Sequence, residues 1–245
     1  MSHGTAVLEE VIQSPAVNST ITSKPQKVAG DLPLWFRQQR EQGWREFSTM
    51  LNPTRKDQGW RFSNVDALNL SLYRFGNAPS DDEQAEILER SAVLNGKSGR
   101  LIFANDQLLE RDALPESLRR AGVIFQPLER ALIEHEDLVR KHFMAQPAAL
   151  GSAKFAALHR AQVRAGVFIY VPRAVELDLP IEIFHWLVDE NAAVFPHLLL
   201  VADEMSKITV IEHFRSFDQT APGFACGVND LIAGRGQKAA TVIAA

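Results

Sequence analysis

Cysteine is almost missing from this chain of 245 residues, with Cys226 its single thiol. One thiol closes no internal disulfide and cannot supply the several thiolates of an ordinary zinc or iron–sulfur site, so a reducing compartment is expected. An excess of positive charge is missing as well. With 26 Lys and Arg against 30 Asp and Glu, the net charge is −4 and the pI about 6.0. A nucleic-acid-binding domain is normally basic enough to neutralise several phosphates, so no nucleic-acid partner is expected. No run approaches the roughly 20 apolar residues of a membrane span. The opening MSHGTAVLEEVIQS carries acids and no Lys or Arg before Lys24, unlike the basic start of a secretory signal. The cytoplasm is the expected location. The 14 Gly and 12 Pro are too few for a collagen-like or low-complexity chain. Hydrophobic residues at 46% and charged ones at 23% suit an ordinary globular protein of one large domain or two small ones.

Residues 1–30 mix small and polar residues with Pro15 and Pro25 and hold no sustained apolar period, which predicts a flexible tail with at most a short helix at Ala6–Gln13. From Leu32 to Leu51 the aromatics Trp35, Phe36, Trp44 and Phe47 recur at helical spacing behind Pro33, and Asn52-Pro53 ends the pattern. Asp81–Leu94 reads as a helix with acids in its first turn, Leu128–Phe143 as another, and Ala153–Val163 as a third. Arg100–Ala104 and Val123–Phe125 are short strand candidates. After Gly166 the chain becomes a succession of strand-length apolar runs: Val167–Val171, Ile181–Phe184, Leu198–Val201, Ile208–Ile211, Val228–Ile232 and Thr241–Ile243. Pro172, Pro180, Pro196, Gly223, Gly227, Gly234 and Gly236 separate them, and no interval suits a crossover helix. On periodicity alone a sandwich, a barrel and a solenoid all stay open.

Several segments together carry a family resemblance. Phe155-Ala156-Ala157-Leu158-His159-Arg160-Ala161, Ala165–Val175 and Leu179-Pro180-Ile181-Glu182-Ile183 resemble the entry into the core of the SufB/SufD family. Pro196–Glu204 and Ile208–Glu212 are similar to its next strands, and Pro53-Thr54-Arg55-Lys56 with Trp60-Arg61-Phe62 to an upstream element of the same family. The likeness covers residues 32–245. It implies an α+β chain: a mainly helical N-terminal domain over 31–150, then the start of a right-handed parallel β-helix over 151–245, of which only the first coils are present. It also implies a non-catalytic scaffold subunit of the SUF iron–sulfur cluster assembly machine, acting with SufB-like and SufC-like subunits. An iron–sulfur cluster would then sit transiently on the full complex. Where the SufB branch reads Glu-Gly-Cys, this chain reads Glu212-His213-Phe214, which favours the SufD branch and leaves a SufB-like paralogue as the alternative. His159 stands where the family usually has Asn. Family chains continue past this C-terminus, so the sequence looks truncated, and a cut coil could pair with a second copy as a homodimer.

No residue is expected to be catalytic, to bind a cofactor or to ligate a metal. Ser91–Ser98 ends like a phosphate-binding loop, but Ser91 stands where the first Gly is needed and no strand precedes it. Gly234-Arg235-Gly236 fits a loose dinucleotide pattern and reads better as a turn. His135 and His142 are seven positions apart, about 10 Å along a helix, too far to share a zinc ion. His185, His197 and His213 are irregularly spaced, so satisfied or exposed histidines are expected rather than a shared metal site, and Cys226, with no base beside it in sequence, is expected to be buried packing. A carbohydrate-active β-helix enzyme would need clustered carboxylates, whereas Asp178, Glu182, Glu190, Asp203, Glu204 and Glu212 are scattered. Trp60 is expected to plug the helical domain.

Overall fold

The computed structural model describes residues 19–25, 32–147, 152–236 and 238–244. Pro33 precedes helix α1 (Leu34–Thr49), whose face of Phe36, Arg40, Gly43 and Phe47 is buried. It crosses α6 (Ala153–Gln162), which starts where the Ser152 hydroxyl accepts the Lys154 amide hydrogen. Gly43 allows the close approach: a Cβ there would lie 2.9 Å from the Ala157 carbonyl oxygen and the Ala161 amide. Arg40 Nε donates to the Ala161 carbonyl at 3.1 Å, so even the buried guanidinium ties the two helices. Helix α2 (Asp81–Arg90) opens on a capping box between Ser80 and Glu83. Helix α3 (Glu116–Arg120) is short. The helix expected over Leu128–Phe143 divides at His135 into α4 (Leu128–Glu134) and α5 (Glu136–His142), because His135 leaves helical geometry at φ −134°. No helix among the described residues is long and apolar enough to cross a membrane.

Twelve strands are present among the described residues: β1 (Arg74–Phe75), β2 (Gly99–Ala104), β3 (Gln107–Arg111), β4 (Ile124–Pro127), β5 (Gly166–Val171), β6 (Ile181–Leu187), β7 (Ala192–Val194), β8 (His197–Ala202), β9 (Lys207–Ser216), β10 (Phe224–Ala225), β11 (Val228–Ala233) and β12 (Lys238–Ala244). They form sheets in the orders β11-β8-β5-β4, β12-β9-β6-β2-β3 and β1-β7-β10. Pairing is parallel except for β3 on β2 and β4 on β5. The right-handed parallel β-helix expected over 151–245 behind a mainly helical domain is therefore corrected. The fold is α+β with two mixed sheets and one small parallel sheet, and strands from before residue 150 pair directly with those after it. Backbone pairing of β2 with β6 and of β4 with β5 merges the two stretches that composition had separated.

Inward-facing residues of the two larger sheets, among them Leu101, Val167, Ile169, Ile183, Leu198 and Val210, share one core. The opposite face of the β5–β8 sheet, through Phe168 and Leu199, packs on Phe36, Leu132, Val139 and Phe143 of the helices. Strand alternation produces this division directly, since successive side chains on β5 and β8 face opposite sides. Within the stretch read as a tail, Ile21 is buried, its amide bonds the Tyr73 carbonyl, and Gln162 Nε2 donates to the Ile21 and Ser23 carbonyls. The short helix considered at Ala6–Gln13 lies outside the described residues. Trp60 is half-buried rather than a plug, its ring 5.4 Å from that of Phe155, and Phe62 beside it is 93% exposed.

Candidate functional site

The second half of the chain holds an unusual amount of buried polar chemistry, placed by strand alternation. On β6 and β9, Phe184 and Trp186 point to the side of α2, and Ile181 and Ile183 to the core between the larger sheets. Glu182 and His213 follow the first set, His185 and Glu212 the second. His213 Nε2 lies 3.2 Å from Glu182 Oε1, and the His213 ring stacks on Phe184 with centroids 4.2 Å apart. Burial, reinforced by Arg215, pulls His213 below the usual imidazole range. Burial also raises Glu182, against the opposing pull of Lys97 and Arg100. On the other face His185 Nε2 is 3.4 Å from Glu212 Oε1, and Asn229 on β11 donates to Glu212 Oε2 at 2.5 Å. Phe103 and Phe214 flank the His185 ring at 5.6 and 5.1 Å.

His197 does not join the other two strand histidines. It lies on the β5–β8 sheet, where its Nδ1 is 3.1 Å from His159 Nε2 and its Nε2 is 3.2 Å from Asp230 Oδ2. His185, His197 and His213 thus occupy three separate places. No group of three or more His, Cys, Asp or Glu suited to a metal ion occurs among the described residues. Cys226 offers its carbonyl to His159 and lies with its sulfur 3.5 Å from the Phe155 carbonyl. Burial pushes its thiol up to about 12, far from the thiolate that nucleophilic chemistry needs.

The phosphate-loop resemblance of residues 91–98 does not survive the geometry. Ser98 spends its amide on the Pro180 carbonyl at 2.7 Å and its hydroxyl on the Leu179 carbonyl at 2.8 Å, and the strand β2 follows where a helix would have to start. Lys97 faces Asp112 at 3.9 Å. Gly234-Arg235-Gly236 forms a turn on the preceding one: Gly234 donates to the Ala202 carbonyl, and a Cβ on it would fall 2.6 Å from the Glu204 amide. His135 marks the break between α4 and α5, with its ring 6.0 Å from that of Phe168.

One buried group escaped the sequence reading altogether. Asn105 and Asp106, at φ 47° and 62°, form the two-residue turn between β2 and β3. The turn points inward: Asn105 Oδ1 accepts the Val188 amide at 3.0 Å and Asp106 Oδ2 the Phe195 amide at 2.8 Å. Burial raises Asp106 to about 6, opposed by the Phe195 amide and by nearby His185 and Arg164. Arg164 itself covers the Phe75 ring at 3.2 Å from its centroid. The Asn-Asp pair between apolar runs was the available signal.

What this arrangement can do follows from where its polar atoms are spent. Histidines and carboxylates are paired with each other inside the sheets, where they hold strands together. Residues 22–183, two-thirds of the chain, match the SufBD protein N-terminal region. The chain belongs to the SufBD family. Over 186 residues, 75% of this SufBD-family chain and 42% of the relative, it is 28% identical to the iron-sulfur cluster assembly protein SufD of Bacillus subtilis. It is 36% identical over 99 residues to iron-sulfur cluster assembly SufBD family proteins of Staphylococcus epidermidis and Staphylococcus aureus, 40% of this chain and 21% of each relative. The chain therefore spans less than half the length of these relatives.

Proposed function

We propose that this SufBD-family chain is part of a SufD-like, non-catalytic scaffold subunit of a cytoplasmic SUF complex, acting beside a SufB-like subunit and the SufC ATPase. The cluster is cargo of that complex rather than a resident group of this chain. The family match over residues 22–183 carries the reading. Phe214, its ring tilted beside His185 at the position where the SufB branch is expected to have a thiol, supports the SufD branch.

Size-exclusion chromatography with light scattering, on the full-length protein mixed with SufB-like and SufC-like subunits of the same cell, tests this. A single species containing all three is expected, with no ATP hydrolysis by this protein alone. Separate elution of this protein, as a monomer or as a homodimer, would contradict the reading.

A further inference from the structure

A cleft of about 450 Å³ opens between β3, α3, β4 and the break that separates α4 from α5. Leu114, Val123 and Ile124 make its apolar side, and Arg111, Gln126 and His135 its polar side. Strand geometry explains the mixture. Val123 belongs to the core between the larger sheets, whereas Gln126, on the edge strand β4, pairs in register with Phe168, whose ring lies 6.0 Å from that of His135. Arg111 ends β3, and its Nη2 donates to the Phe125 carbonyl at 2.9 Å.

The cleft is rich in donors and poor in counter-charge. No Asp or Glu lines it. The acids around it are engaged elsewhere: Glu116 with Arg119 and Arg120, Glu134 with Arg130 at 2.7 Å, and Asp112 with Lys97 and Arg100 at 3.9 and 3.8 Å. Arg111 has no carboxylate partner among the described residues, and its one bond to a carbonyl leaves most of its N–H groups free. Burial, and then the like charge of Arg130, lower its guanidinium from the usual range, with Glu134 opposing. Gln126 is 5% exposed, and its Nε2 is buried with no acceptor. An unpaired buried amide carries a cost that an incoming oxygen would remove.

We propose that this cleft binds a carboxylate carried on a short apolar group, its oxygens taken by Arg111 and Gln126 and its apolar part by Leu114, Val123 and Ile124. Charge decides the class. Arg119 is already neutralised by Glu116, so Arg111 supplies one uncompensated positive charge, which balances a monoanion and leaves a phosphate dianion half unpaired. A guanidinium fork also matches the two oxygens of a carboxylate. The apolar side favours a ligand with a hydrocarbon body over a bare small anion, because each methylene brought against it adds to affinity. A free aliphatic acid and the C-terminus of a peptide ending in an apolar residue both have this chemistry.

Titration of the whole protein at pH 7, followed by ¹H–¹⁵N NMR of the Arg111 Nε–H and the Gln126 side-chain amide, tests the site. Hexanoate is the probe for a free acid and N-acetyl-leucine for a peptide C-terminus, with hexan-1-ol and inorganic phosphate as comparisons. At least one of the two acids is expected to shift both signals with a Kd of about 1 mM, the tighter naming the source. Hexan-1-ol and phosphate are expected to bind at least about tenfold more weakly, and Arg111→Gln to weaken the acid by a similar factor while leaving hexan-1-ol unchanged. Neither acid moving these signals at about 10 mM, hexan-1-ol or phosphate binding as well as the acid, or Arg111→Gln binding the acid like wild type would each overturn the proposal. If Arg111→Gln does not fold, the comparison of the probes on the wild-type protein decides by itself.

Discussion

Asp106 shows how a single side chain can couple this fold to pH. Its carboxyl rises from 3.8 to about 6 on folding, so the folded state holds a proton that the unfolded chain has released between those values. The contribution therefore favours folding below about pH 4 and is lost as pH rises through about 6. Asp106→Asn keeps an acceptor for the Phe195 amide and tolerates the left-handed backbone, but carries no charge. Relative to wild type it is expected to gain about 2–3 kcal/mol in urea unfolding between pH 4 and pH 7. A constant difference across that range would mean that the carboxylate is not held at a cost. Two tryptophans give a second contrast at this scale. Trp186 is 1% exposed, its Nε1 donates to Ser91 Oγ at 3.0 Å, and the Arg90 guanidinium covers its ring. Trp186→Ala is expected to cost about 3–5 kcal/mol. Trp60, half-buried against Phe155, is expected to cost only about 1 kcal/mol as Trp60→Ala, less than the plug expected from sequence would. Equal losses in parallel thermal melts would contradict this ranking.

At the scale of elements, the α1–α6 crossing sets how the helices seat on the sheets. Alanine is the better helix former by about 1 kcal/mol, yet a Cβ at position 43 meets α6 backbone atoms at 2.9 Å. Gly43→Ala is accordingly expected to destabilise by about 1–3 kcal/mol, and a stabilised variant in denaturant unfolding would show that the helices can part without loss. Both helices were legible in the sequence, α1 from its aromatic period and α6 from its Ala-rich run. So were β2, β5, β6, β8, β9, β11 and β12, whose apolar runs are strand-length and bounded by Pro or Gly. β1, β7 and β10 were not, because two or three residues paired in parallel leave no period to read. β3 was missed because its polar Gln107, Glu110 and Arg111 masked a hairpin partner. The division of α4 from α5 depends on one residue's backbone, to which apolar spacing is blind.

For the whole molecule, the class α+β and the family were within reach of the sequence, but the architecture was not. Composition changes near residue 150, and that change read as a domain boundary; backbone pairing of β2 with β6 and of β4 with β5 runs across it. The buried polar pairs were equally hidden. His159 and His197 are 38 residues apart, on a helix and a strand, and only the packing of α6 on the β5–β8 sheet brings them within 3.1 Å. Of the short motifs that carried the resemblance, those from Pro53 to Ile183 lie within the residues 22–183 that match the SufBD protein N-terminal region, and those from Pro196 to Glu212 lie beyond it. The proposed part of the parent protein in iron–sulfur cluster assembly can be measured in cells. The most direct measurement is the activity of cluster-dependent enzymes in cells lacking the protein that contains this chain. A loss of activity at unchanged enzyme levels, restored by re-expression, is predicted; unchanged activity in cells with no second assembly system would contradict it.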